Sequence, residues 1–105
     1  MKLLTRNEEI DEVLRRPLAI VFKHSTLCSM SSLAHREAEK FLEAHPEAEV
    51  HKVNVIESRA ISDYIEKLTG VRHESPQLLV FRGGEVVWHE SHFGVTARAI
   101  AEAID

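Results

Sequence analysis

The single cysteine of this 105-residue chain, Cys28, is the residue whose chemistry stands out. With only one, an intramolecular disulfide is impossible, and any disulfide must be made with another molecule. A lone cysteine is often a small core hydrophobe. A core position on a helix, however, expects apolar neighbours at helical spacing. The residues around Cys28 are Ser25, Thr26, Ser29, Ser31 and Ser32, a strongly polar set. They favour a reactive thiol over a packed one.

The spacing Cys28-Ser29-Met30-Ser31 is C-x-x-S. A dithiol site would carry a second cysteine at the fourth position, able to attack a mixed disulfide from the same helical turn. Serine has the size of cysteine and is a far weaker nucleophile. Chemistry at Cys28 then halts at a mixed disulfide, and a second thiol from solution must finish the cycle.

Position strengthens this reading. Leu18 to Phe22 (LAIVF) is a continuous apolar run of strand length, followed by the polar loop His24-Ser25-Thr26-Leu27. Apolar residues then recur at helical spacing to about Ala44. Cys28 therefore falls where a buried strand gives way to a helix N-terminus. Free backbone N–H groups and the helix dipole favour an anion there, so the thiol pKa is expected to fall. Lys23 and His24, just upstream, add positive potential if their side chains turn toward the sulfur.

Pro76 is the second feature. If the strand from Gln77 to Phe81 runs antiparallel beside Leu18–Phe22, its beginning adjoins the end of that first strand. Ser75 and Pro76 then lie across from Cys28 and shape a substrate groove. A cis Ser75–Pro76 bond is expected, with backbone groups offered to an extended substrate as in strand addition.

The elements that must position these residues follow from the pattern. Thr5-Arg6-Asn7-Glu8 fits a capping box before a short helix that runs to about Arg16 and stops at Pro17. Val50 to Val55 alternates as a strand, and Ser58 can cap a third helix ending at Gly70. Gly83-Gly84 joins the Gln77–Phe81 strand to a partner over Glu85–Ser91. Thr96 can cap the last helix. The expected order is α-β-α-β-α-β-β-α, a four-stranded mixed α/β sheet flanked by helices, in one domain over residues 1–105. The first two strands flank a helix and should be parallel with a right-handed crossover.

Composition excludes several classes. The formal charge is −4, against a basic face for nucleic acid. No apolar run is long enough to span a bilayer. The N-terminus turns charged too soon for a secretory signal, and a lone cysteine fits a reducing compartment, so a cytoplasmic location is expected. Seven histidines raise metal binding. His89 and His92, three apart on a strand, point to opposite faces, and His24 with Cys28 falls short of the four ligands of a structural zinc site. No metal is expected. His35, His45 and His51 read as solvated surface, as does the acidic face of Glu37, Glu39, Glu43 and Glu47.

These residues also carry a family resemblance. The strand, loop, Cys-x-x-Ser and helix start, with Thr26 two before Cys28, resembles the thioredoxin fold. The stretch Gly70-Val71-Arg72-His73-Glu74-Ser75-Pro76-Gln77 is more specific. With Ile56-Glu57-Ser58-Arg59 before it and His89-Glu90-Ser91-His92-Phe93 after it, it is similar to the YtxJ-type bacillithiol-system proteins of bacteria, also called monothiol bacilliredoxins. The likeness covers nearly the whole chain. It implies a monomeric thioredoxin-like protein with no tightly bound cofactor and with bacillithiol as co-substrate. It also implies that Cys28 takes bacillithiol from S-bacillithiolated proteins or from bacillithiol disulfide, Ser31 occupying the resolving position. His73 and His92 would lie near the cysteine, His73 as a further tuning group. Where family members often carry Thr-Cys-Pro-x-Ser, this chain has Leu27-Cys28-Ser29-Met30-Ser31, and Ser29 forgoes the pre-organisation that proline gives a first helical turn. Two other functions fit a lone cysteine on this fold: an iron–sulfur carrier akin to monothiol glutaredoxins, and a non-catalytic peptide-binding module.

Overall fold

The computed structural model describes residues 1–105. The elements are β1 (Lys2–Leu3), α1 (Asn7–Leu14), β2 (Leu18–His24), α2 (Ser29–Ala44), β3 (Val50–Asn54), α3 (Arg59–Thr69), β4 (Gln77–Arg82), β5 (Glu85–Ser91) and α4 (Ala97–Ile104), with a 3-10 turn at His92–Gly94. The sheet order is β1-β3-β2-β4-β5. β2 pairs parallel with β3 and antiparallel with β4, which forms the hairpin with β5. The sheet has five strands where the sequence pattern yields four. The addition is the two-residue β1, parallel to β3, too short to show any periodicity.

β2 lies at the centre of the sheet and is covered on both faces, which is why its sequence is a continuous apolar run rather than an alternation. Ala19, Val21, Leu79 and Phe81 pack with α1 and α3 through Ile10, Val13, Ile61 and Ile65. Ile20, Phe22, Leu78 and Val80 pack with α2 and α4 through Ala38, Phe41 and Ile100. Neighbouring β2 residues therefore serve opposite cores, and the same alternation sends Lys23 and His24 to opposite faces.

The helix ends have identifiable causes. α1 starts one residue later than the Thr5 capping box implies. Glu9, not Glu8, reaches back, its carboxylate accepting from the backbone N–H of Thr5 at 2.9 Å and of Arg6 at 3.1 Å. α3 ends at Gly70, whose φ of 71° is the left-handed conformation that glycine adopts without a Cβ penalty. The hairpin glycines Gly83 and Gly84 also have positive φ, at 59° and 83°. Thr96 caps α4 by accepting from the Ala99 N–H at 3.1 Å.

Three surface assignments are corrected. His35 is not solvated surface: its ring packs against those of His24 and Phe22, with centroids 4.8 and 6.0 Å away. His51 is 2% exposed, held under α1 beside the Arg16 guanidinium at 3.2 Å. Its place on β3 among alternating apolar residues puts it on the face covered by α1. Glu37 is not simply solvated. Its carboxylate accepts from the Ala97 N–H at 3.0 Å and so ties α2 to the start of α4.

Candidate active site

The C-terminal end of β2 and the beginning of β4 lie side by side, with Lys23 opposite Gln77. Everything after His24 on one strand and before Gln77 on the other therefore gathers at one edge of the molecule. Cys28 is the N-cap residue of α2, with extended φ/ψ of −114°/123°. It is partly exposed, and its sulfur makes no capping hydrogen bond. The first N–H groups of a helix have no intrahelical partner, so they stay available to a group lying against that end.

The turn leading to Cys28 is tightly held. The Cys28 N–H donates to the Ser25 carbonyl at 3.4 Å. The Ser25 N–H donates to Ser31 Oγ at 2.9 Å. Thr26 Oγ1 donates to the Glu57 carboxylate at 3.2 Å, joining this turn to the loop after β3. Ser29 is exposed as the first residue of α2. Ser31, one helical turn after Cys28, is fully buried. Its hydroxyl also shares a 2.8 Å hydrogen bond with His24 Nδ1.

The three charged candidates separate into two groups. His24 goes with α2. Its ring packs against Phe22 and His35, with centroids 5.6 and 4.8 Å away. Burial, then the charges of His35 and Lys52, hold its pKa below the usual imidazole range. Lys23 and His73 go with α3. Lys23 is fully buried and its Nζ has no hydrogen-bond partner. Desolvation pushes its pKa down to about 8, opposed by Glu66, Asp63 and Glu74. His73 Nδ1 hydrogen-bonds Ser62 Oγ at 2.8 Å, and burial, followed by the Lys23 charge, lowers its pKa.

The same edge also carries the residues before β4 and after β5. The Ser75–Pro76 peptide bond is cis. The Pro76 carbonyl accepts from the His92 N–H at 3.0 Å, which fastens the His92–Gly94 turn to the start of β4. His92 has φ of 55°, the one non-glycine residue at positive φ. It has thus left the strand direction of His89, and its Nε2 approaches Glu74 at 3.7 Å. The 3-10 turn packs against α2. The two most exposed large apolar side chains of the protein lie at this edge, Leu27 at 84% and Phe93 at 73% exposure. Neither stands out in the sequence, because an exposed apolar residue in a loop has no periodicity to mark it. No three His, Cys, Asp or Glu side chains gather in a way that could hold a metal ion.

Residues 2–100 match the family model for the monothiol bacilliredoxin BrxC. The chain belongs to the monothiol bacilliredoxin family. Among solved structures it is similar to a candidate oxidoreductase with a thioredoxin fold, at 32% identity and a TM-score of 0.94, covering 99% of this chain and 93% of that one. It is also similar in fold to mitochondrial thioredoxin 3 of Saccharomyces cerevisiae, at 17% identity and a TM-score of 0.78, covering 99% and 92%. Thioredoxin of Fasciola hepatica matches at 17% identity and a TM-score of 0.77, covering 99% and 96%. The fold is thioredoxin-like, and membership of a bacilliredoxin family gives the chain a thiol redox role with thiol-related partners. No helix is long and apolar enough to cross a membrane.

Proposed function

We propose that this bacilliredoxin is a monothiol thiol–disulfide oxidoreductase that accepts bacillithiol on Cys28, from S-bacillithiolated proteins or from bacillithiol disulfide. The observation that carries the reading is the pairing of a partly exposed Cys28 at a helix N-terminus with a buried Ser31 at the resolving position. The thiolate of Cys28 attacks one sulfur of the incoming disulfide. One S–S bond forms as the other breaks, and the departing thiolate takes up a proton. Cys28 then carries the small thiol. A second thiol attacks this mixed disulfide, releasing Cys28 and completing a two-electron exchange. Ser31 cannot do this step itself, because a hydroxyl is too poor a nucleophile. Ser75 and Pro76 form the groove wall facing the sulfur, and the backbone there suits an extended substrate.

Intact-mass analysis after incubation with bacillithiol disulfide tests the proposal. A single adduct is expected on the wild type, absent in Cys28→Ser and cleared by a second thiol. A wild-type protein that takes up no adduct would end it.

A further inference from the structure

The exchange chemistry leaves Ser31 with nothing to do, yet its hydroxyl is one of the most constrained polar groups in the molecule. It is fully buried, accepts from the Ser25 N–H at 2.9 Å and meets His24 Nδ1 at 2.8 Å. Resting on the exchange reading of Cys28, we infer that the His24–Ser31 hydrogen bond is a positioning device that holds the Ser25–Cys28 turn in the shape presenting the sulfur.

The backbone transmits the effect. Ser25 is gripped at both ends. Its N–H is held by Ser31 Oγ, and its carbonyl accepts from the Cys28 N–H at 3.4 Å. His24 and Ser25 are consecutive, so one oxygen on α2 fastens the strand end and the turn together. A hydroxyl has one proton and two lone pairs. The Ser25 N–H takes one lone pair, and the imidazole takes the proton or the second lone pair. The ring is buried and packs between Phe22 and His35, with centroids 5.6 and 4.8 Å away. Removing the hydroxyl would leave a buried ring nitrogen and a part-buried backbone N–H without their partner, and polar groups out of reach of water and without partners are expensive. The turn would open to hydrate them, and Cys28 would lose its fixed place at the helix end. Ser31 therefore serves the reaction through the backbone of Cys28, not as a spare nucleophile.

The test measures the rate of Cys28 alkylation by iodoacetamide and of adduct formation with bacillithiol disulfide. The variants are Ser31→Ala, His24→Leu, His24→Asn and the Ser31→Ala/His24→Leu pair. Phe41→Leu, a core change remote from the turn, serves as a control for lost stability. Ser31→Ala and His24→Leu are each expected to slow both reactions roughly fivefold or more, the scale of one hydrogen bond. The double variant should be no slower than the worse single one, because the two residues act as a unit. His24→Asn, whose amide can occupy the place of Nδ1, should restore most of the rate, and Phe41→Leu should not lower it. Single variants reacting at the wild-type rate, additive losses in the double variant, or no rescue by His24→Asn would overturn the inference. If Ser31→Ala does not fold, His24→Leu and His24→Asn decide alone. A wild type that is alkylated but forms no adduct removes the proposed function. A wild type that forms the adduct while its variants keep pace removes only the positioning role.

Discussion

Lys23 and Gln77 face each other across the β2–β4 ladder, and each buries a polar atom that has no partner: Nζ on one, Oε1 on the other. The ammonium sits at the upper end of the core shared with α1 and α3. Its pKa of about 8 records what burial costs it. In the unfolded chain the same group titrates near 10.4. Below pH 8 both states hold the proton, and the full penalty of burying the charge weighs on the fold. Between about 8 and 10.4 the unfolded state holds more protons, so stability rises with pH through that window. The substitution Lys23→Met is expected to stabilise the protein at pH 7 by about 1–3 kcal/mol, as exchanging a buried charge for an apolar group of similar volume often does. The gap between variant and wild type should narrow toward pH 10. Urea unfolding of the two proteins across that range measures it, and a Lys23→Met protein less stable than wild type at pH 7 would refute the assignment.

The histidines act at the other end of the pH scale. His24, His51 and His73 all have lowered pKa values, each first through burial. Their neutral forms are favoured in the fold, while the unfolded chain protonates near pH 6.5. On acidification below that point the unfolded state binds protons that the folded state refuses, and stability falls. The loss should begin near pH 6.5, before the carboxylates titrate. His51 lies far from Cys28 and beside Arg16, whose charge adds to the effect. His51→Gln is therefore expected to flatten the slope of stability against pH between 6.5 and 5 without altering alkylation of Cys28. An unchanged slope would show that His51 protonates freely in the fold.

Glu37 supplies a third test. Its carboxylate caps α4 from another helix by accepting from the Ala97 N–H, and the same bond is the main cause of its lowered pKa. Glu37→Ala is expected to cost about 1 kcal/mol, the usual scale of a lost cap. Glu37→Gln should cost less, because an amide oxygen still accepts. Hydrogen exchange at Ala97 should quicken in the alanine variant more than at amides in the middle of α4. Equal exchange in both variants would place the stabilising contact elsewhere.

Lys23, His51 and Glu37 also mark the border of what the sequence makes legible. The order of helices and strands is legible because each long element has an unambiguous period. The β2 run declares a central strand, and the polar serines after it declare a loop that ends in a partly exposed cysteine at a helix start. The place of Pro76 at the same edge of the sheet as the loop before Cys28 follows from pairing β4 against β2. The two-residue β1 has too little chain to carry a pattern. Proximity in sequence suggests that Lys23 and His24 both turn toward the thiol, but the alternation of a strand sends them to opposite faces. Residue type suggests solvated surface for His51 and Glu37, since nothing local reveals a partner 35 or 60 positions away in the chain. Ser31 is legible as a missing cysteine, but not as a hydrogen-bonded anchor, because its partners are a strand end and a turn whose geometry only the folded chain fixes.

Leu27 and Phe93 carry the last prediction. Both are large, apolar and mostly open to solvent, Leu27 directly before Cys28 and Phe93 in the turn fastened to Pro76 through His92. Side chains so exposed bury little area in the free protein, so Leu27→Ala and Phe93→Ala should change its stability by less than about 0.5 kcal/mol. A protein disulfide docking on Cys28 would cover them, whereas a small disulfide reaches the sulfur past them. Burying an apolar side chain at a contact is worth about 1.5–3 kcal/mol at most. The double alanine variant is therefore expected to slow exchange with a disulfide-bearing protein about tenfold while leaving reaction with a small disulfide within about twofold. Rates for the two substrate classes, measured side by side, check this. Equal slowing of both would mean that these side chains shape the site around the sulfur itself and are not a landing surface for proteins.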